Sequence, residues 1–358
     1  MTVKNVDDLP ATTTDAAGSS QPCSGPTNPA VAPVQPDNPD MPHPDLGSGN
    51  DAPAGWGPIA LPDGHGGTYT VSQLYSFGDR LSDTGNTVAL ETSLGQETPL
   101  TMPPFSADGS FSDGPNWTTI LRESLGVQPS EAQTNFAYES ATARPIPNPL
   151  DPNQNQTNLS DFPGQIEQFE QGGTLFSPDD LVTVGFGDYD LLLPSALPPD
   201  VNITLSVDAI LGGLQQLADL GAQHFLIANL RFVTLAPPFG DPTVDAPFRA
   251  IYDQFNAELQ SGLLDFQASS GLDVKQLGLN ALFNDIAASP ADYGFVNVAE
   301  PLLSSGTSPG SVITYNPAIA GQDPAVERST LFLDPLFDPT APGQAIIAQT
   351  SRDTLLAA

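Results

Sequence analysis

From Ser72 onward the chain alternates short apolar runs with longer stretches whose apolar residues recur every three or four positions, and this alternation constrains the fold most. The runs Leu74 to Phe77, Asn135 to Tyr138, Leu181 to Gly185, His224 to Asn229 and Leu272 to Leu277 read as strands. Helical patterns cover Trp117 to Leu125, Gln165 to Gln171, Leu205 to Leu220, Phe248 to Phe266, Ala281 to Ala288 and Ala341 to Leu356. In "NITLSVDAILGGLQQLADLGA", Val207, Ile210, Leu211, Leu214 and Leu217 form one stripe, and Gly221 is the stop signal. Strands alternating with helices predict a three-layer α/β/α sandwich around a central parallel sheet. Functional groups in such a sheet gather at the carboxyl ends of the strands.

Residues 1–71 are of another kind, dominated by Pro, Gly, Ser, Thr, Asn and Asp with almost no periodic apolar pattern. Such a segment cannot bury enough surface to fold alone, so it is expected to be disordered when free and to order against a partner protein or another copy of the chain. The domain proper is expected to span 72–358. Across the whole sequence 42 acidic residues face 9 basic ones, a formal net charge of -33, and that field disfavours nucleic acid and anionic membranes as partners. No apolar run approaches membrane-spanning length, so no membrane insertion is expected. Cys23 is the single cysteine, which rules out an intrachain disulfide and a cysteine metal site. The amino terminus lacks the basic and apolar regions of a secretory leader. The expected setting is extracellular or the cell surface, by another export route or after removal of a leader.

The stretch "LYSFGDRLSDTGNT", Leu74 to Thr87, runs from a buried strand into a polar loop, and Arg80 stands just where a strand-end site belongs. "FGDRLSDTGN" resembles the first block of the GDSL (SGNH) lipase/esterase family, F-G-D-S-L-S-D-T-G-N. Further blocks follow in the family's order: "FSDGPNW", "TNFAYESA", "VGFGDYDLL", "DLGAQHFLIANL", "FNAELQSGLLDF", "YGFVNVAEPLL" and "LFLDPLFDPTAPG". The resemblance implies a flavodoxin-like α/β/α fold. It also implies ester hydrolysis by a first-block serine, a last-block histidine three residues after an aspartate, and an oxyanion hole. That hole combines the first-block amide, a second-block glycine and a third-block asparagine.

Position by position, this chain departs from that pattern. Arg80 stands at the nucleophile, and a permanently protonated guanidinium cannot attack a carbonyl. Gly187 replaces the oxyanion asparagine in Gly185-Phe186-Gly187-Asp188, while Gly114 keeps the second-block glycine. The last block reads Asp334-Pro335-Leu336-Phe337-Asp338-Pro339-Thr340. Aligned on Pro-Thr, Asp338 takes the histidine position; aligned on the aspartate, Phe337 does. The Gly-Gly pair after the third strand becomes Glu139-Ser140. Histidine occurs only at His43, His65 and His224, the first two in the extension and the third opening a strand. Ser82 survives, but the active enzymes carry that serine too and do not use it as nucleophile.

The expectation is a protein without an intact catalytic set, needing no cofactor or metal, and retained as a structural or binding subunit. Arg80 is expected to meet a carboxylate, Asp338 first, Asp334 second and Asp188 third, because a desolvated arginine requires one. The alternative at Arg80 is decay, with the side chain in solvent. The alternatives for the whole chain are an active or residual ester hydrolase and a lectin-like binder of an acyl or glycan ligand in the old cleft. Paired aspartates (Asp188 with Asp190, Asp334 with Asp338) lack the spacing of a calcium loop. Glycosylation-type triplets begin at Asn116, Asn155, Asn158 and Asn202.

Overall fold

The computed structural model describes residues 56–146, 161–192, 198–232, 242–319 and 324–357. A short antiparallel hairpin comes first, β1 (Leu61–Pro62) and β2 (Thr68–Tyr69). The main sheet has four parallel strands, β3 (Leu74–Gly78), β4 (Leu181–Gly185), β5 (His224–Ala228) and β6 (Asp273–Leu277), adjacent in that order. β3 to β5 are almost wholly buried, as expected of parallel strands covered on both faces.

Alternation along the strands sorts the two helical layers. Tyr75, Phe77, Val182, Val184, Phe225 and Ile227 face one core, with α3 (Phe162–Gln171), α5 (Pro199–Asp219) and α6 (Pro242–Ser270). Leu74, Leu181, Leu226 and Leu277 face the other, with α2 (Trp117–Ser124), α7 (Leu279–Ala288) and α9 (Ala341–Leu356). The remaining helices are short: α1 (Asn86–Ser93), α4 (Asp188–Leu192) and α8 (Pro324–Arg328). A third, smaller cluster of Leu100, Phe105, Phe111, Leu302, Leu303, Ile319 and Leu333 joins the connections on either side of the site.

Two expectations are corrected. The predicted strand Asn135 to Tyr138 runs alongside β3, exchanging Ser76 N–H to Thr134 O and Phe136 N–H to Ser76 O, both 2.8 Å. It stays a bridge because the Asn135 side chain turns the backbone, accepting from Ala137 N–H and donating to Ser82 O. The start of the domain also moves upstream of Ser72. Leu61, Tyr69 and Val71 are buried in the same core as α2 and α9, despite the polar composition around them. The rest of the extension, 1–55, lies outside the described residues.

Candidate functional site

The loop after β3 is anchored at both ends. Gln165 clamps Gly78, accepting from its N–H at 2.9 Å and donating to its carbonyl at 2.7 Å. Five residues on, Asp83 accepts from Gly85, Asn86 and Thr87 N–H, which starts α1, and from Glu139 N–H at 3.1 Å. Its carboxyl is wholly buried, and that burial lifts it to about 6. Arg80 is therefore presented from a fixed backbone.

Arg80 is 4% exposed, which excludes the solvent-pointing arrangement. It donates through Nε to Asp338, through Nη2 to Asp334 and through Nη1 to Glu139. The guanidinium also lies over the ring of Phe111, with Cζ 4.0 Å from the ring centroid. Three carboxylates and a ring use the planar donor fork in a way a lysine could not. Asp338 and Asp334 meet Arg80 as the sequence leads one to expect; Asp188 does not. Asp188 belongs with Tyr252 and Arg231 beside Asp79, whose burial, reinforced by Asp188, pushes its carboxyl to about 8.

The third partner, Glu139, is not foreseen from the sequence. It stands where the family has glycine, and so reads only as a lost turn residue. The backbone keeps the glycine-type path, since the next residue, Ser140, has φ +63°. The visible signal is an acid directly after the apolar run Phe136 to Tyr138. Burial raises Glu139 to about 7 even though Arg80 pulls the other way.

In the last block Asp334 organises a turn. Its Oδ1 accepts from Leu336 N–H at 3.1 Å and Asp338 N–H at 3.3 Å, leaving Oδ2 for Arg80. Of the two positions offered by alignment, Asp338 faces Arg80. Phe337 sets its ring edge-on to Phe332, with φ +64°, and its carbonyl accepts from Arg231 Nη2 at 3.0 Å. A bulky side chain in the left-handed region is strained and persists only when surrounding contacts impose it. Here the contacts are the two flanking aspartates on Arg80 and the Arg231 bond.

The two glycines expected at oxyanion positions leave no room for a side chain. Gly187 has φ +133°, and a Cβ there would stand 2.5 Å from Phe255 Cζ and 3.0 Å from Leu230 Cδ1. An asparagine has no room. A Cβ at Gly114 would stand 2.6 Å from Ala341 Cβ, so that glycine serves the approach of α9.

The described histidines lie elsewhere. His224 opens β5, at the amino end of the sheet and away from Arg80, stacked on Tyr69 (3.5 Å, 5°) with Nδ1 3.0 Å from Asp273. His65 is in the exposed 63–67 turn, and His43 is outside the described residues. Ser82 is buried with neither of the described histidines beside it. Asn116 caps α2, and Asn202 bonds Arg144 and Asp190, so both triplets are committed internally; those at Asn155 and Asn158 lie outside the described residues. Asp190 is taken by Ala143 N–H and Ser206 Oγ.

A four-stranded parallel sheet covered by helices on both faces, with the loop after β3 joined to the turn before α9, defines a three-layer α/β/α protein. Residues 74–349 match the GDSL-like lipase/acylhydrolase family, and the chain belongs to it. It is 23% identical over 259 residues to the thermolabile hemolysin of Vibrio parahaemolyticus, covering 70% of this chain and 56% of that one. The chain thus spans little more than half the length of that relative. Among solved structures it is similar to protein YxiM of Bacillus subtilis (13% identity, TM-score 0.40, 80% of this chain and 56% of the other). A G-D-S-L family member from Veillonella parvula also matches (11%, TM-score 0.32, 78% and 96%). So does Est24, a carbohydrate acetylesterase from Sinorhizobium meliloti (16%, TM-score 0.31, 61% and 98%).

Proposed function

We propose that this chain is a non-catalytic member of its family, a pseudoenzyme retained as a structural or binding subunit of an extracellular or surface assembly. The observation that carries the reading is Arg80, buried at the nucleophile position and held by Asp338, Asp334 and Glu139. Hydrolysis by the family's route needs a hydroxyl with a base beside it and donors for the oxyanion. A guanidinium supplies no nucleophile, Asp338 is engaged by that guanidinium, and the Gly187 position has no side-chain donor or room for one. Asp79, Asp188 and Arg231 persist nearby, but buried acids without a nucleophile do not make an acyl-transfer site.

The same packing speaks against a lectin-like cleft, since Arg80 and Phe111 are buried against each other and not presented to a ligand. The segment 1–71, or the part of it before Trp56, is the proposed means of contact with a protein partner or another copy. A fluorophosphonate probe, which labels activated serines covalently, tests the reading. Full-length chain should remain unlabelled under conditions that label an active family member. Labelling that maps to Ser82 overturns the proposal.

A further inference from the structure

The Arg80 hub is out of charge balance. One guanidinium meets three carboxylates that come from separate parts of the chain, Glu139 after the edge segment and Asp334 and Asp338 before α9. The groups packed around them add more acid than base. Asp79 and Asp83 come from the loop after β3 and Glu91 from α1. α4 contributes Tyr189, with Asp188 behind it against Asp79. Among the described residues Arg231, from the segment after β5, is the other cation here, and it reaches the turn through the Phe337 carbonyl. With every carboxyl ionised, the hub would carry a net negative charge largely shut off from solvent. At least one proton must be shared among the acids to offset that.

We infer that the hub is a proton-dependent latch, closing the Asp334–Asp338 turn onto the loop after β3 while its acids share a proton and loosening when that proton leaves. Two geometric facts give it direction. The turn is strained at Phe337, so repulsion among the ionised acids has somewhere to go. Glu139 is the most accessible of the three acids, its side chain 15% exposed against 0% and 2% for Asp334 and Asp338, so the proton exchanges with solvent there. Burial, which raises Glu139 to about 7 and holds Asp338 well above the ordinary carboxylate range although Arg80 pulls it down, sets the sign. The folded hub holds its proton more tightly than the unfolded chain, so the latch is firm below the ordinary glutamate range and weakens as pH rises through about 7. The inference rests on ionic geometry and stands whether or not the chain hydrolyses esters.

Amide hydrogen exchange on the full chain tests it, with rates divided by those of an unstructured peptide at each pH. Protection over residues 334–340, taken relative to β4, should fall about tenfold or more between about pH 5 and pH 8, since each unit of titration between two pKa values is worth up to about tenfold. In Glu139→Gln, which keeps an oxygen for Arg80 but cannot titrate, the fall should shrink to about threefold or less. Equal protection at both pH values, or the same fall in Glu139→Gln, overturns the latch. If that variant does not fold, the carboxyl carbon resonance of Glu139 in the unaltered protein decides. A midpoint above about pH 6 supports the latch, and one in the ordinary glutamate range overturns it.

Discussion

Arg80 and Asp338 lie 258 positions apart in the chain and are joined as a buried ion pair. Segments from the two ends of the domain are thus tied together by charge.

Removing the arginine leaves Asp338, Asp334 and Glu139 buried together without a cation. Arg80→Ala should destabilise the domain by ~3 kcal/mol or more. Arg80→Lys should recover only part of the loss, because a single ammonium cannot address three carboxylates in the geometry of the guanidinium fork. Urea denaturation measures both; a loss for Arg80→Ala within the scatter of surface substitutions would show that the hub contributes nothing.

Stability should decline with rising pH. Burial raises Asp83 and Asp190 to about 6, Glu139 to about 7 and Asp79 to about 8. Each therefore binds its proton more tightly folded than unfolded, so the stabilisation is complete below the ordinary carboxylate range and is lost as pH rises through those values. The urea midpoint should be higher at about pH 5 than at about pH 8. A midpoint that rises over this interval contradicts the assignment of these acids as buried and under-neutralised.

Much of this architecture is legible in the amino-acid sequence, and the reasons differ by residue. Parallel strands and their crossover helices bury long apolar patterns, so the periodicity places β3 to β6 and α2, α3, α5, α6, α7 and α9 within a few residues. Asn135 to Tyr138 fails as a strand because a side-chain hydrogen bond of Asn135 outweighs the β propensity around it. At the site, Arg80 and Asp338 stand out because they depart from the family's pattern at positions of known role, and Asp334 because it matches the aspartate of the last block. Glu139 does not, because it replaces a glycine and its partner is 59 positions away. Leu61, Tyr69 and Val71 are hidden by the polar residues between them. Their burial depends on long-range packing in the core with α2 and α9, which includes for Tyr69 its stacking on His224.

That burial makes truncation informative. A chain starting at Ser72 loses Leu61, Tyr69 and Val71 and should be less stable than one starting at Trp56 by at least about 3 kcal/mol, given ~1.5–3 kcal/mol for each large apolar side chain buried. Limited proteolysis of the full chain should accordingly leave a core that begins upstream of Leu61. Equal stability of the two truncations would mean that the hairpin is only draped on the domain.

Rebuilding the family's residues one at a time should not restore activity. Arg80→Ser supplies a hydroxyl without a base and leaves three acids unpaired, and a triad acts as a unit. Gly187→Asn forces a Cβ to within 2.5 Å of Phe255 at φ +133°, and should destabilise by ~1–3 kcal/mol while adding no usable donor. Denaturation and ester assays on each variant check both parts. Turnover gained from either single change would mean that a base stands within reach of position 80.

The most direct measurement is turnover of short-chain p-nitrophenyl esters by the purified full-length protein, with the Ser82→Ala variant alongside. The closed, arginine-filled site predicts a rate indistinguishable from buffer and unchanged by the substitution. Saturable turnover that disappears in Ser82→Ala would contradict it, showing that the loop after β3 still carries a working nucleophile.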